Sequence, residues 1–169
     1  MDITERVKAE GVVLPLAVLR IILGSMLLWA FIDKLFGLGL ATPEGQGMID
    51  GGSPSHGFLE YSDGTFSGLF QWMSQFSDIT DILLMMGLLF IGIGLMLGIA
   101  TKLSVVSGTA MFFILFLSVF PPSDNPFLDY HLVYIIALWA IWVAGAGDRL
   151  GLGKRWRELP IVKRFSILE

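Results

Sequence analysis

Four apolar runs, residues 12–32, 82–100, 103–120 and 132–146, fill most of this 169-residue chain and restrict what it can fold into. The first holds one charged residue, Arg20, and the other three hold none. A bilayer core about 30 Å thick is crossed by roughly 20 apolar residues of helix. The backbone satisfies its own polar groups in lipid only as helix or closed barrel. The runs therefore predict four membrane-spanning helices. Charged residues make up only 15% of the chain, against about 25% in soluble domains, which supports the same reading.

The expected fold is an all-α four-helix transmembrane bundle forming a single domain over residues 1–169. Its helices should cover about 12–35, 79–100, 103–120 and 130–147. Pro15 falls in the first turn of the first helix, where a missing N–H costs nothing. That run is longer than a signal-peptide core and no small-residue cleavage site closes it, so it reads as a retained helix. The short turn at Ala100-Thr101-Lys102 makes the second and third helices a hairpin. Gly94-x-x-x-Gly98 and Ser104-x-x-x-Gly108 offer small faces for close helix approach.

Lys and Arg set orientation in a membrane. Arg6, Lys8, Lys102, Arg149, Lys154, Arg155, Arg157, Lys163 and Arg164 all fall on one side of an up-and-down bundle. Lys34 is the one basic residue at the other side, among many acids. Both termini are thus expected in the cytoplasm, with the basic tail 148–169 lying against anionic headgroups or docking an acidic partner. The basic residues are too few and too close to the membrane to suggest nucleic-acid binding.

The outer loop 37–78 has nine glycines and neither Lys nor Arg, and loops of such length are usually functional or disordered. In its second half Phe66, Leu69, Phe70, Met73 and Phe76 recur at helical spacing, with Trp72 as an interfacial anchor. This predicts a short amphipathic helix on the outer surface, between the first two spanning helices, capping the bundle.

There are no cysteines. Thiol–disulfide exchange, thiolate metal sites, iron–sulfur clusters and covalent haem attachment are therefore excluded. The two histidines, His56 and His131, have no spacing that argues for a shared haem iron, and no dense ligand set suggests a metal. No dinucleotide or phosphate-binding glycine motif is present, so no metal, haem or flavin site is expected.

The remaining polar residues need an explanation. Arg20 lies about 12 Å into the first helix, where an uncompensated charge costs at least ~2.5 kcal/mol. It must face the bundle, and either pairs with Asp148, clamps carbonyls, or touches a bound anion, quinone carbonyl or lipid phosphate. Lys34 sits at the far end of the same helix, with Asp33 and Asp129 as available partners, and serves either as a structural ion pair or as a proton-transfer group. In Asn125-Pro126-Phe127-Leu128-Asp129-Tyr130-His131-Leu132-Val133-Tyr134, Asp129 caps the fourth helix and Asn125 bonds local backbone. His131, beside Tyr130 and Tyr134, is placed either to bind a quinone carbonyl and relay its proton or to join an interfacial aromatic belt.

These residues resemble the DoxX/DoxD family of small prokaryotic membrane proteins. The likeness is carried by Leu19-Arg20 with Gly24, Trp29 and Lys34, and by Gly52-Ser53-Pro54 with Gly57-Phe58-Leu59. It continues in Asn125-Pro126-Phe127-x-Asp129-x-His131 and in Gly145-Ala146-Gly147-x-Arg149-Leu150-Gly151-Leu152-Gly153-x-x-Trp156. The resemblance implies a four-helix bundle in a prokaryotic plasma membrane. It also implies a role near respiratory sulfur or oxidative-stress chemistry, since DoxD is the membrane subunit of a thiosulfate:quinone oxidoreductase. On that reading quinone is the cofactor. Lys34, Asp129 and His131 are catalytic, and Arg20, Trp29, Asn125, Tyr130 and Tyr134 contact the quinone. The partners are lipid and a soluble or membrane redox protein, and a homo-oligomer stays open. A non-catalytic membrane scaffold for a soluble redox enzyme and a lipid or small-molecule carrier are the competing readings.

Overall fold

The computed structural model describes residues 3–125 and 127–168, and every regular element in them is helical. Helix α1 is Ile3–Phe36. Two short helices follow, α2 at His56–Glu60 and α3 at Ser67–Met73. Helices α4 (Ser77–Leu97), α5 (Thr101–Ser118) and α6 (Tyr130–Val143) come next, and α7 (Gly153–Glu158) and α8 (Pro160–Arg164) form the tail.

Three stretches are long and apolar enough to cross a membrane: Gly11–Phe36, Ser67–Leu97 and Thr101–Ser118. Helix α6 is equally apolar but only 14 residues long. Helices α1, α4, α5 and α6 pack around one core that includes Leu23, Leu27, Leu88, Ile91, Leu95, Phe112 and Leu138. The opposite faces are apolar too. Phe90, Phe113 and Ile136 are 58%, 48% and 70% exposed, a surface suited to acyl chains rather than water.

Helix contact is made through small residues. A Cβ on Gly24 of α1 would lie 2.6 Å from the Met96 backbone nitrogen of α4. The Ser104 hydroxyl of α5 fills the space beside Gly94, and Leu138 of α6 lies over Gly108. Both stretches of small residues seen in the sequence are thus helix–helix contacts. In lipid this close van der Waals packing, not water expulsion, holds helices together.

Several boundaries differ from expectation. Helix α1 begins at Ile3, so Pro15 stands inside it rather than in its first turn. Nothing between residues 3 and 14 breaks a helix, and the proline removes only the amide that would bond the Gly11 carbonyl. Helix α4 stops at Leu97 because Gly98 turns left-handed, at φ 70°, and closes the end with bonds to Gly94 and Leu95. Helix α6 ends at Val143, short of the expected 147, and Gly145 at φ 62° redirects the chain.

That redirected chain encloses Arg20, which is fully buried. Its Nε donates to the Ala146 carbonyl at 3.2 Å. Its Nη1 donates to the Leu95 carbonyl and to that of Met96 at 3.0 Å. Its Nη2 donates to the Arg149 carbonyl at 3.3 Å and to that of Leu150 at 3.0 Å. A guanidinium has five N–H donors, and all five are used. The expected Arg20–Asp148 pair does not form, because Asp148 instead receives Arg157 at 2.6 Å. Of the alternatives open in the sequence, Arg20 is the carbonyl clamp.

Arg20→Met should leave the Met96, Ala146, Arg149 and Leu150 carbonyls without this donor, each costing about 1–3 kcal/mol, while the Leu95 carbonyl keeps the Gly98 amide. We expect a loss of roughly 3–5 kcal/mol or more, seen as collapse of detergent-solubilised thermal stability. Arg20→Lys, with three donors in place of five, should recover only part of it. Wild-type stability in Arg20→Met would show that the clamp is dispensable.

Candidate functional site

A cavity of about 900 Å³ opens at the opposite end of the bundle from Arg20, where α1 ends and α6 begins. Its walls come from four helices: Leu23, Met26, Leu27, Ala30 and Lys34 of α1, Leu84 and Leu88 of α4, Met111, Phe112 and Leu115 of α5, and Tyr130, His131 and Tyr134 of α6. The helical repeat produces this lining directly, since Leu23, Leu27, Ala30 and Lys34 recur at three- and four-residue spacing on one face.

The loop after α1 forms the cover. Residues 41–43, 45–46, 50–54 and 56–58 contribute to the lining, with Gln46, Ser53 and His56 among them. The amphipathic segment expected to cap the bundle does exist as α3, but it runs through a 3-10 turn into α4 and does not line the cavity. Of its apolar stripe, Phe70 is buried while Phe66, Leu69 and Phe76 stay exposed. The cover is instead the glycine-rich half of the loop. Glycine permits this path: a Cβ on Gly47 would lie 2.6 Å from the Phe36 carbonyl carbon.

Two buried carboxylates fasten the cover at its ends. Asp33 of α1 accepts the Thr42 amide at 2.8 Å, and its second oxygen has no partner among the described residues. Asp81 of α4 accepts the Ser53 hydroxyl at 3.0 Å and the Ser55 amide at 2.7 Å. The Ser55 hydroxyl lies 3.0 Å from that of Thr80. Sequence reasoning passed over Asp81 because it stands one residue outside its apolar run. Its spacing with Met85, Leu88, Gly92 and Leu95, all buried, marks it as inward-facing.

The polar end of the cavity is built by Lys34 and the start of α6. Asp129 caps α6, accepting the His131 amide at 2.7 Å and meeting His131 Nδ1 at 2.5 Å. The histidine is 6% exposed, with its ring stacked 4.2 Å from Tyr130 and 6.2 Å from Phe112. A carboxylate on Nδ1 favours the proton there and leaves Nε2 as the ring nitrogen without a partner among the described residues. Lys34 makes neither of its expected ion pairs: Asp33 turns to Thr42 and Asp129 to His131. Its ammonium has no hydrogen bond or ion pair among the described residues.

Of the residues expected to act, Lys34, His131, Tyr130 and Tyr134 share the cavity, and Asp129 stands behind His131. Three lie apart from it. Arg20 is spent on carbonyls at the far end. Trp29 is 51% exposed on the outer face of α1 and does not line the cavity. Asn125 accepts the Phe127 and Leu128 amides at 3.0 and 3.1 Å, shaping its own turn, and the Pro126 that follows lies outside the described residues. His56 is held by Glu60 at 3.0 Å. Among the described residues no three His, Cys, Asp or Glu side chains gather as a metal site.

Comparison with family models, curated proteins and solved structures finds no match to this chain.

If Asp81 holds the cover, Asp81→Ala removes the acceptor for two hydrogen bonds to a charged group, each contributing about 1.5–3 kcal/mol. Amide hydrogen exchange at Ser55 and its neighbours should then rise at least about tenfold while the α5 core stays protected. Unchanged exchange at Ser55 would remove Asp81 from that role.

Proposed function

We propose that the chain is a four-span integral membrane protein with both ends in the cytoplasm, serving as the membrane subunit of a quinone-linked redox system. The observation that carries this reading is the cavity: apolar walls ending in an unpaired Lys34 and an Asp129-held His131. Ligand sites are typically clefts of about 300–1,000 Å³, mostly apolar, with few convergent polar groups.

The contacts of Arg20 support this topology. Arg20 ties the early part of α1 to the end of α4 and to the chain after α6, so both termini stand at one end. The basic residues of the tail lie at that end, as the positive-inside rule asks. Helix α6, about 21 Å long at 1.5 Å per residue, crosses with help from the segments flanking it.

Conversion of a quinone to its quinol takes two electrons and two protons. Lys34 would donate a hydrogen bond to one carbonyl oxygen and offset the negative charge that develops there. His131 Nε2 would deliver a proton, with Asp129 stabilising the imidazolium that precedes the transfer. The second proton would enter from outer water beneath the cover. With no thiol in the chain, the electrons come from a reduced donor or partner. The DoxX/DoxD resemblance makes thiosulfate the donor to try first.

In native membranes, His131→Ala should lower thiosulfate-dependent quinone reduction by about 10²–10⁴, with Lys34→Met also strongly impaired. Asp129→Asn should reduce turnover more than apparent quinone affinity, since it acts through the histidine. Retained wild-type rates in both His131→Ala and Lys34→Met would end this assignment.

A further inference from the structure

Lys34 is partly buried in the wall of an apolar cavity and has no ion pair among the described residues. Neither neighbouring acid forms an ion pair with it: Asp33 accepts the Thr42 amide through one oxygen while its other oxygen has no partner among the described residues, and Asp129 meets His131. Asp50 is the one carboxylate lining the cavity among the described residues, and it stands exposed on the cover without an ion pair to Lys34. The other polar side chains lining the cavity include Tyr130, Tyr134, His131 and Gln46. Below Lys34 the walls are Leu23, Leu27, Leu88 and Phe112, all buried and apolar. Charge and greasy trench are thus separated along one axis.

We infer that this cavity takes an amphiphile with an acidic headgroup, its carboxylate or phosphate facing Lys34 and its apolar body lying along Leu23, Leu27 and Leu88. A neutral headgroup leaves the ammonium without a counter-charge, whereas an anion beside this partly buried lysine gains a direct Coulombic attraction stronger than in bulk water. An uncharged polar end would have served a neutral ligand with donors alone, as the tyrosines and Gln46 already provide. The inference rests on reading the cavity as a ligand site and does not require that quinone be the redox substrate. An acidic amphiphile of this kind would compete with quinone for the same space.

The full chain in detergent can be titrated with 11-(dansylamino)undecanoic acid and with its methyl ester, which differ only in the head charge. The acid should bind at least about tenfold more tightly than the ester. Lys34→Met should erase that preference while keeping the ester affinity, and Lys34→Arg should retain it. Equal binding of acid and ester to wild type, or loss of the preference in Lys34→Arg, would overturn the inference. So would a preference that persists in Lys34→Met. Displacement of the probe by oleate identifies a free acid as the occupant. Displacement by dioleoylphosphatidylglycerol in a phosphatidylcholine nanodisc identifies a lipid headgroup. Decylubiquinone is titrated in parallel. Acid preference without displacement by decylubiquinone removes the quinone reading and leaves this one standing, and the reverse pattern does the opposite.

Discussion

Arg20 is the interaction on which the rest of the structure depends. One guanidinium, wholly out of solvent, donates all five of its N–H groups to backbone carbonyls from two other segments. Two carbonyls belong to the last turn of α4, where the helix macrodipole places partial negative charge. The other three belong to the chain that turns away after α6. The Leu95 carbonyl also accepts the Gly98 amide; the other four have no further donor among the described residues, and in an apolar surrounding each would be costly without Arg20. The cation therefore satisfies both segments at once and is itself satisfied by them. Its setting demands small residues: a Cβ on Gly98 would lie 3.1 Å from Arg20 Cζ, and one on Gly151 would lie 2.9 Å from Nη2.

Because the clamp closes one end of the bundle, the other end is free to be hollow. The helices meet closely through Gly24, Gly94 and Gly108, and beyond those contacts the side chains are long but do not fill the space between α1 and α6. A cover of glycine-rich chain lies over the gap, held by Asp33 and Asp81. Both carboxylates bond backbone amides of the cover, so its position is set by main chain. The cavity's polar groups divide into held and unheld ones: Asp129 orients His131, whereas Lys34 has no acid of its own.

Much of the candidate site was legible in the residues. Arg20 had to face protein, because a cation in mid-membrane has nowhere else to go. Asp129 reads as a helix cap, and it is one. Lys34, His131, Tyr130 and Tyr134 were grouped by expected topology, and the helices do bring them to one cavity. Trp29 and Asn125, expected as quinone contacts, stand outside it, and Asn125 instead bonds its own turn, as its place in the sequence also suggested. The partners of Arg20 and Lys34 were not readable. Backbone carbonyls are present at every residue and carry no sequence signature, so Asp148 looked the better match. Asp81 was not readable because its partners, Ser53 and Ser55, lie in a distant loop whose path only the fold fixes.

By itself the sequence determined that the chain is helical and apolar enough to cross a bilayer, which residues are too costly to leave facing lipid, and which end of the bundle gathers the basic groups. These properties are sums over local composition, and lipid enforces them segment by segment. Only the tertiary structure decided that Arg20 answers to carbonyls, that Lys34 has no ion pair among the described residues, and that the glycine-rich half of the loop, not its amphipathic half, covers the cavity. Those outcomes depend on which backbone groups are left unpaired once the helices end and pack, and no single segment contains that information.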